Sequence, residues 1–170
     1  MHENPYVFAQ LVSFLDRNHF NYLVRKYSGD RYVKHFTCWN QLLVQMFGQL
    51  SNREGLRALI VAFDAHRSKC YHLGVGRHVT RSNLAKANEN RDFRIFKDFA
   101  YHMIELARKI RELVNGKAKY ADWTNRQDIR DELYSDLAVL LRKNGYPPTV
   151  IDEAYDEVLK QVENFKKYEE

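Results

Sequence analysis

Along most of this chain apolar residues recur at intervals of three and four, the period of a helix with one buried face. Trp39, Leu42, Leu43, Met46, Phe47 and Leu50 follow this spacing behind Thr37, which can cap the helix they define. Asn4-Pro5 reads as an N-cap with a first-turn proline, opening a helix with Phe8, Leu11, Val12 and Leu15 on one face. A short helix is predicted over 19–27, with Ser28-Gly29-Asp30 as its stop. Ser51 to Glu54, "SNRE", has the form of a capping box for a helix carrying Leu56, Leu59, Ile60 and Phe63.

In the middle the pattern breaks. Gly74 and Gly76 interrupt any helix in "HRSKCYHLGVGRHVTRS". Thr80 or Ser82 can then cap a short polar helix over 83–88. A long helix is predicted over 92–113, with Phe96, Phe99, Ala100, Met103, Ile104, Ala107 and Ile110 as its stripe and Asn115-Gly116 as its end. Thr124 with Gln127 looks like a further capping box, ahead of a face made by Leu133, Leu137, Leu140 and Leu141. Gly145 suits a left-handed helix terminus, and Pro147-Pro148 cannot continue the helix. Thr149 with Asp152 would cap the last helix, whose face is Ile151, Ala154, Tyr155, Val158, Leu159, Val162 and Phe165. The fold class expected is all-α: a helical bundle with a helix-turn-helix-like N-terminal module and a small C-terminal helical hairpin.

Composition supports a folded chain: 170 residues, 45% hydrophobic and 14% aromatic, with only 7 Gly and 3 Pro. No apolar run reaches the roughly 18 residues of a membrane span, and no signal peptide is visible, so the expectation is a cytoplasmic protein with no membrane partner. Cys38 and Cys70 are too few for a disulfide framework and are expected as reduced thiols.

Charge changes the picture. Residues 1–113 hold 18 Lys and Arg against 10 Asp and Glu, whereas 114–170 hold 9 against 12. Residues 66–97 alone carry 8 basic and 2 acidic side chains. So basic a stretch suits a polyanion, and nucleic acid is the commonest one. The candidate DNA-binding residues are Arg67, Lys69, Arg77, Arg81, Ser82, Asn83, Lys86, Asn88, Arg91 and Arg94. Arginine and lysine would grip phosphates, Ser82 and free helix-start amides would add a phosphate contact, and Asn83 and Asn88 could read adenine edges. The plainer reading of the same residues is that they cap helices and pair with Glu89 and Asp92.

Other chemistry is weakly encoded. His66, Cys70, His72 and His78 follow no structural zinc spacing, and a lone thiolate is unusual in such a site, so no metal and no cofactor is expected. A Cys–His catalytic pair has no spacing to select it. Trp39, Trp123, Tyr6 and Tyr155 read as packing residues.

"HFTCWNQ", "FGQLSNRE", "YHLG" and "SNLAKANENRD" occur in this order within residues 5–105. That segment resembles the N-terminal domain of bacterial DDE insertion-sequence transposases. The resemblance implies a module that helps bind transposon ends ahead of an RNase H-like catalytic domain, in the service of transposition and DNA recombination. The strand that would carry the first catalytic Asp does not follow "FAYHMI". Two-metal phosphoryl transfer needs several carboxylates on a rigid scaffold, so no catalytic residue is assigned and no enzyme activity is expected. "DWTNRQDIRDEL", "LLRKNGYPP" and "QVENFKKY" carry a second resemblance, over about 106–170, to the C-terminal helical end of the type I restriction–modification R subunit. It implies docking onto methyltransferase core subunits, away from nuclease and motor domains, and no G-x-x-x-x-G-K-[ST] phosphate loop is present.

The chain thus resembles a gene fusion joined near Glu105 to Arg111. The expected function is duplex DNA binding of transposase type, on transposon-end-like sequence, without strand transfer. The alternatives are an interaction module for the methyltransferase core and a foldable remnant of the fusion. The oligomeric state and the target sequence are not encoded in any motif.

Overall fold

A computed structural model describes residues 7–66, 68, 75, 79–117 and 123–169; the side chains of 7, 10, 124 and 162–169 are excepted. The described residues are all helical, with no strand. The α-helices among the described residues include α1 (Val7–Ser13), α2 (Arg17–Lys26), α3 (Cys38–Leu50), α4 (Leu56–Ala65), α5 (Arg81–Asn90), α6 (Arg94–Lys117), α7 (Gln127–Lys143) and α8 (Pro148–Glu169), with a 3₁₀ turn at Trp123–Asn125. The chain divides into two compact units, Met1–Ala100 and Tyr101–Glu170.

In the first unit α3 is the central element, against which α2, α4 and α5 all pack. Phe20, Leu43, Val44, Leu84 and Ile95 are fully buried. Phe20 meets Trp39 edge-on at 5.4 Å and Phe99 at 5.0 Å, so α2, α3 and the start of α6 share one aromatic cluster. Gly29 lies where an added Cβ would overlap Ile95 Cδ1 and come within 2.7 Å of Cys38 Sγ, so a larger residue there would make those buried side chains shift.

The second unit is built on the α7–α8 hairpin. Leu106, Leu137, Ala138, Leu141, Tyr146 and Ile151 form one buried cluster, and Trp123, Ile129 and Leu133 form another. Gly145 takes φ 80° between α7 and α8. Its N–H donates to Arg142 O at 2.9 Å and that of Tyr146 to Leu141 O at 3.1 Å, which closes a Schellman motif.

Several sequence expectations shift. "SNRE" ends a helix and does not start one: Ser51 is the C-cap of α3, and its hydroxyl donates to Phe47 O at 2.6 Å. Asn52 follows at φ 51°, and Arg53 N–H donates to Gly48 O at 2.9 Å. Asparagine tolerates this left-handed position, so the polar run satisfies the last carbonyls of α3. Helix α4 begins instead after Gly55, with no side-chain cap. Likewise α7 starts after Arg126 and has no side-chain cap, and α8 starts at Pro148, which leaves Thr149 inside the helix. Asn115-Gly116 does not stop α6, which runs on to Lys117; that lysine is held by Glu132 at 2.7 Å and Asp136 at 3.1 Å. The stripe of α6 is also rotated. Ile95, Phe99 and Leu106 are buried, whereas Ala100 and Ala107 are exposed and Ile104 is 63% exposed. The Asn4-Pro5 helix start lies outside the described residues.

Candidate nucleic-acid interface

Helix α5 has few apolar residues, and its position is set by one side. Thr80 caps it, its hydroxyl accepting from Asn83 N–H at 3.1 Å. Leu84 and Ala87 are its buried residues. The same side carries a polar bridge to α3, where Gln41 and Gln45 donate to Asn88 Oδ1 at 2.7 and 3.0 Å. Arg91, just past the helix, donates to Gln41 Oε1 at 2.8 Å, to Thr37 O at 3.0 Å and to Phe36 O. Asp30 lies 3.7 Å from the guanidinium, and the Phe36 ring 5.4 Å away. Two candidate site residues are therefore engaged inside the fold. The Arg91 side chain is only 8% exposed, and its guanidinium is engaged by these groups within the fold. Its charge neutralises carbonyl dipoles and Asp30, which no apolar side chain could satisfy.

The other faces of α5 are open. Arg81, Ser82, Asn83, Lys86 and Asn90 are exposed, and among the described residues neither Arg81 nor Lys86 has a carboxylate partner. Asn83, Lys86 and Asn90 form one wall of a groove of about 590 Å³. Arg31, Tyr32, Lys34 and His35, from the segment between α2 and α3, line its other side. That segment leaves α2 through a second Schellman-type turn: Ser28 takes φ 52°, and Gly29 N–H donates to Val24 O at 2.9 Å. Asp30 then fixes the start of α3 by accepting from Cys38 N–H at 2.7 Å. Burial and this carboxylate push the Cys38 thiol up to about 12.

Arg94 borders the groove in a different state. It forms a short ion pair with Asp92 at 2.6 Å and lies over the Tyr27 ring at 4.8 Å. The pairing holds the Asp92 carboxyl below its ordinary value. Asp92 is the only acidic residue among those lining the groove.

Of the ten candidate residues, then, Arg81, Ser82, Asn83 and Lys86 share one exposed helix, Asn88 and Arg91 tie that helix to α3, and Arg94 is paired. Arg67, Lys69 and Arg77 lie outside the described residues, as do Cys70, His72 and His78 of the zinc alternative. Arg31 and Lys34 are cations that the sequence reading missed. Their signal was the "RYVKHF" segment itself, where two basic residues follow a helix stop with no acidic neighbour after Asp30. Among the described residues no helix is long and apolar enough to cross a membrane.

Comparison with known families divides the chain in a similar sense. Residues 3–76 match DUF4372, a domain of unknown function found in transposase-like proteins. Residues 88–168 match the C-terminal region of proteins like the type I restriction enzyme HindI endonuclease subunit. Neither a curated protein nor a solved structure matches the chain. The N-terminal and C-terminal parts of the chain are thus similar to two different families.

Proposed function

We propose that the protein binds duplex DNA, of the transposon-end type, through the open faces of α5 and the basic segment beside it, without catalysing strand transfer. The observation that carries this reading is the helix Arg81–Asn90 itself. It is held by Leu84 and a polar bridge on one side, while Arg81, Ser82, Asn83 and Lys86 stay exposed. Arg81, Lys86, Arg31 and Lys34 supply phosphate contacts, and the Asn83 side chain reads a base edge. The match to DUF4372 over residues 3–76 takes in Arg31 and Lys34 and ends before α5.

Anisotropy of labelled duplex with the full chain, over a salt titration, tests it. Affinity should fall steeply as salt rises. Arg81→Ala and Lys86→Ala should each lower affinity on every sequence and reduce the salt slope by about 1. Asn83→Ala should relax sequence preference. Wild-type affinity in the double Arg81→Ala/Lys86→Ala variant would remove this face from the interface.

A second reading is favoured by the match over residues 88–168. In it the C-terminal unit docks onto the methyltransferase core of a type I restriction–modification system, and the basic unit tethers that assembly to DNA. Co-purification with modification subunits supports it; a chain that elutes alone at micromolar concentrations removes it.

A further inference from the structure

We propose that the groove between the 27–36 segment and α5 holds an unpaired nucleotide of single-stranded DNA, with the Tyr32 ring as its stacking platform. The proposal rests on the DNA-binding reading of the α5 face and adds a frayed or single-stranded end to its substrate.

Tyr32 is the starting point. It is 87% exposed, the highest value among the exposed large hydrophobic side chains described. Its backbone takes φ 62°, in the left-handed region that disfavours any residue with a Cβ. Glycine or asparagine would suit the turn better, and burial gives the ring nothing. The fold thus keeps an aromatic ring in solvent at a position where the backbone argues against one. Such sites gain a reason when the side chain has a partner outside the fold.

The surroundings fit a base. Arg31 lies over the ring, its guanidinium carbon 5.0 Å from the centroid, and donates to the phenol oxygen at 3.1 Å. This contact orients the ring, and the exposure leaves room for a base to stack on it. A volume of about 590 Å³ falls within the usual size range of small-molecule clefts. Lys34 and Lys86 stand on opposite sides to hold the flanking phosphates. Asn90 spends one amide hydrogen on Lys86 O at 2.9 Å, which leaves its carbonyl oxygen as an acceptor for a base N–H such as the N3–H of thymine. Asp92, the acidic lining residue, is held by Arg94 and so repels a phosphate less than a free carboxylate would. An aromatic ring flanked by cations is the arrangement that binds single strands with little sequence preference, because every base offers a π face.

The test measures the full chain against a blunt duplex, the same duplex with a thymidine overhang, and free thymidine monophosphate as competitor. The overhang should tighten binding on the order of 10-fold, within the range that stacking on one aromatic ring supplies. Tyr32→Gly removes the ring and relieves the left-handed backbone, so the variant keeps its fold. It should lose the overhang preference and keep its blunt-duplex affinity. Tyr32→Trp should retain the preference, with its added indole fluorescence quenched by the overhang strand. Equal affinity for both duplexes, or an unchanged preference in Tyr32→Gly, overturns the proposal. So does displacement of the overhang by the free nucleotide at equal concentration, which would make the groove a nucleotide site. Failure to bind the blunt duplex at any salt instead removes the duplex reading beneath it.

Discussion

The two units differ in how much of their positive charge they balance: the N-terminal one pairs Lys26, Arg91 and Arg94 but leaves a group of cations on one side without acids. In the C-terminal unit Arg108 sits between Glu105 and Glu112, Lys117 between Glu132 and Asp136, and Arg126 beside Asp128. In the N-terminal unit Arg31, Lys34 and Lys86 line one groove, and Arg81 is exposed at the start of the helix that carries Lys86, all four with no carboxylate partner among the described residues. The difference is not one of stability, since exposed ion pairs contribute only about 0–1 kcal/mol each. What distinguishes the units is the field they present to a partner. Cations balanced by their own acids cancel within a few ångströms. Cations left unbalanced raise the local concentration of a polyanion and exchange counterions with it. The paired pattern suits a unit that packs on itself or on protein; the unpaired one suits a phosphate backbone.

The strongest test of this contrast separates an arginine that holds the N-terminal unit together from one that faces outward. Arg91→Ala removes the donor to the Phe36 carbonyl and to Gln41 Oε1, one of two donors to the Thr37 carbonyl, and the cation beside Asp30. Removing one partner of a buried charged network costs about 3–5 kcal/mol, so the melting temperature should fall by tens of degrees, at roughly 4–8 °C per kcal/mol. Arg81→Ala should leave the melting temperature within a degree or two. Equal melting of the two variants would place Arg91 with the outward-facing cations.

Leu137→Ala asks the matching question of the second unit. Leu137 is fully buried among Leu106, Leu141 and Ile151. Its truncation should cost about 2–5 kcal/mol. DNA affinity measured below the melting transition should not change, because no residue assigned to the interface lies in that unit. A drop in affinity on the scale of Lys86→Ala would show that the separation of roles between the units is incomplete.

How much of this was legible in the sequence depends on what each residue was doing. Apolar spacing identified α3, α7 and their buried leucines, because burial selects residue type directly. The all-α class followed from the same period. Polar residues were harder, since one amide or hydroxyl serves several ends. Ser51 and Asn52 have the composition of a helix start, yet they end α3, because their side chain and backbone meet carbonyls as readily as amides. Gln41 lies within an apolar helix and is buried because Asn88 and Arg91 reach it from 47 and 50 residues away. That long-range pairing leaves no local trace, so the sequence does not show that Asn88, which stays exposed, and Arg91 tie α5 to α3. By contrast Arg81, Ser82, Asn83 and Lys86 needed only one helix with one apolar stripe, and the sequence placed them together. In α6 the rotated stripe has a related cause: small alanines at 100 and 107 fit the period but gain little from burial, and Ile95, Leu106 and the aromatic rings decide the face.

A smaller effect tests the interior of the basic unit. Cys38 is fully buried, and burial together with Asp30 raises its thiol from 9.0 to about 12. Because the folded value lies above the unfolded one, the stability this gives is present below pH 9 and is lost as pH rises toward 12. Alkylation resolved by peptide mapping should leave Cys38 unmodified at pH 8 in the folded protein and modify it on unfolding. Rapid labelling of the native protein would show that the Asp30–Cys38 corner opens.

The smallest expected change moves one position of the basic unit away from the balanced pattern of the other. Asp92 holds Arg94 with hydrogen bonds of 2.6 to 3.0 Å and accepts from the Arg94 backbone N–H at 2.9 Å. Asp92→Asn keeps an oxygen for that backbone contact and removes the charge. It should tighten duplex binding by about 2- to 5-fold, the order of one exposed charge interaction, and steepen the salt dependence, while the melting temperature falls by a degree or two at most. The pH dependence carries the same sign. Arg94 holds the carboxyl below its ordinary value, so Asp92 stays charged to lower pH than an unpaired carboxylate would. Wild-type binding should therefore gain from its protonation at correspondingly lower pH, and the variant should show no such gain. If Asp92→Asn leaves affinity and salt slope unchanged, the Arg94 guanidinium is fixed by Tyr27 alone, and α5 with Arg31 and Lys34 carries the whole phosphate contact.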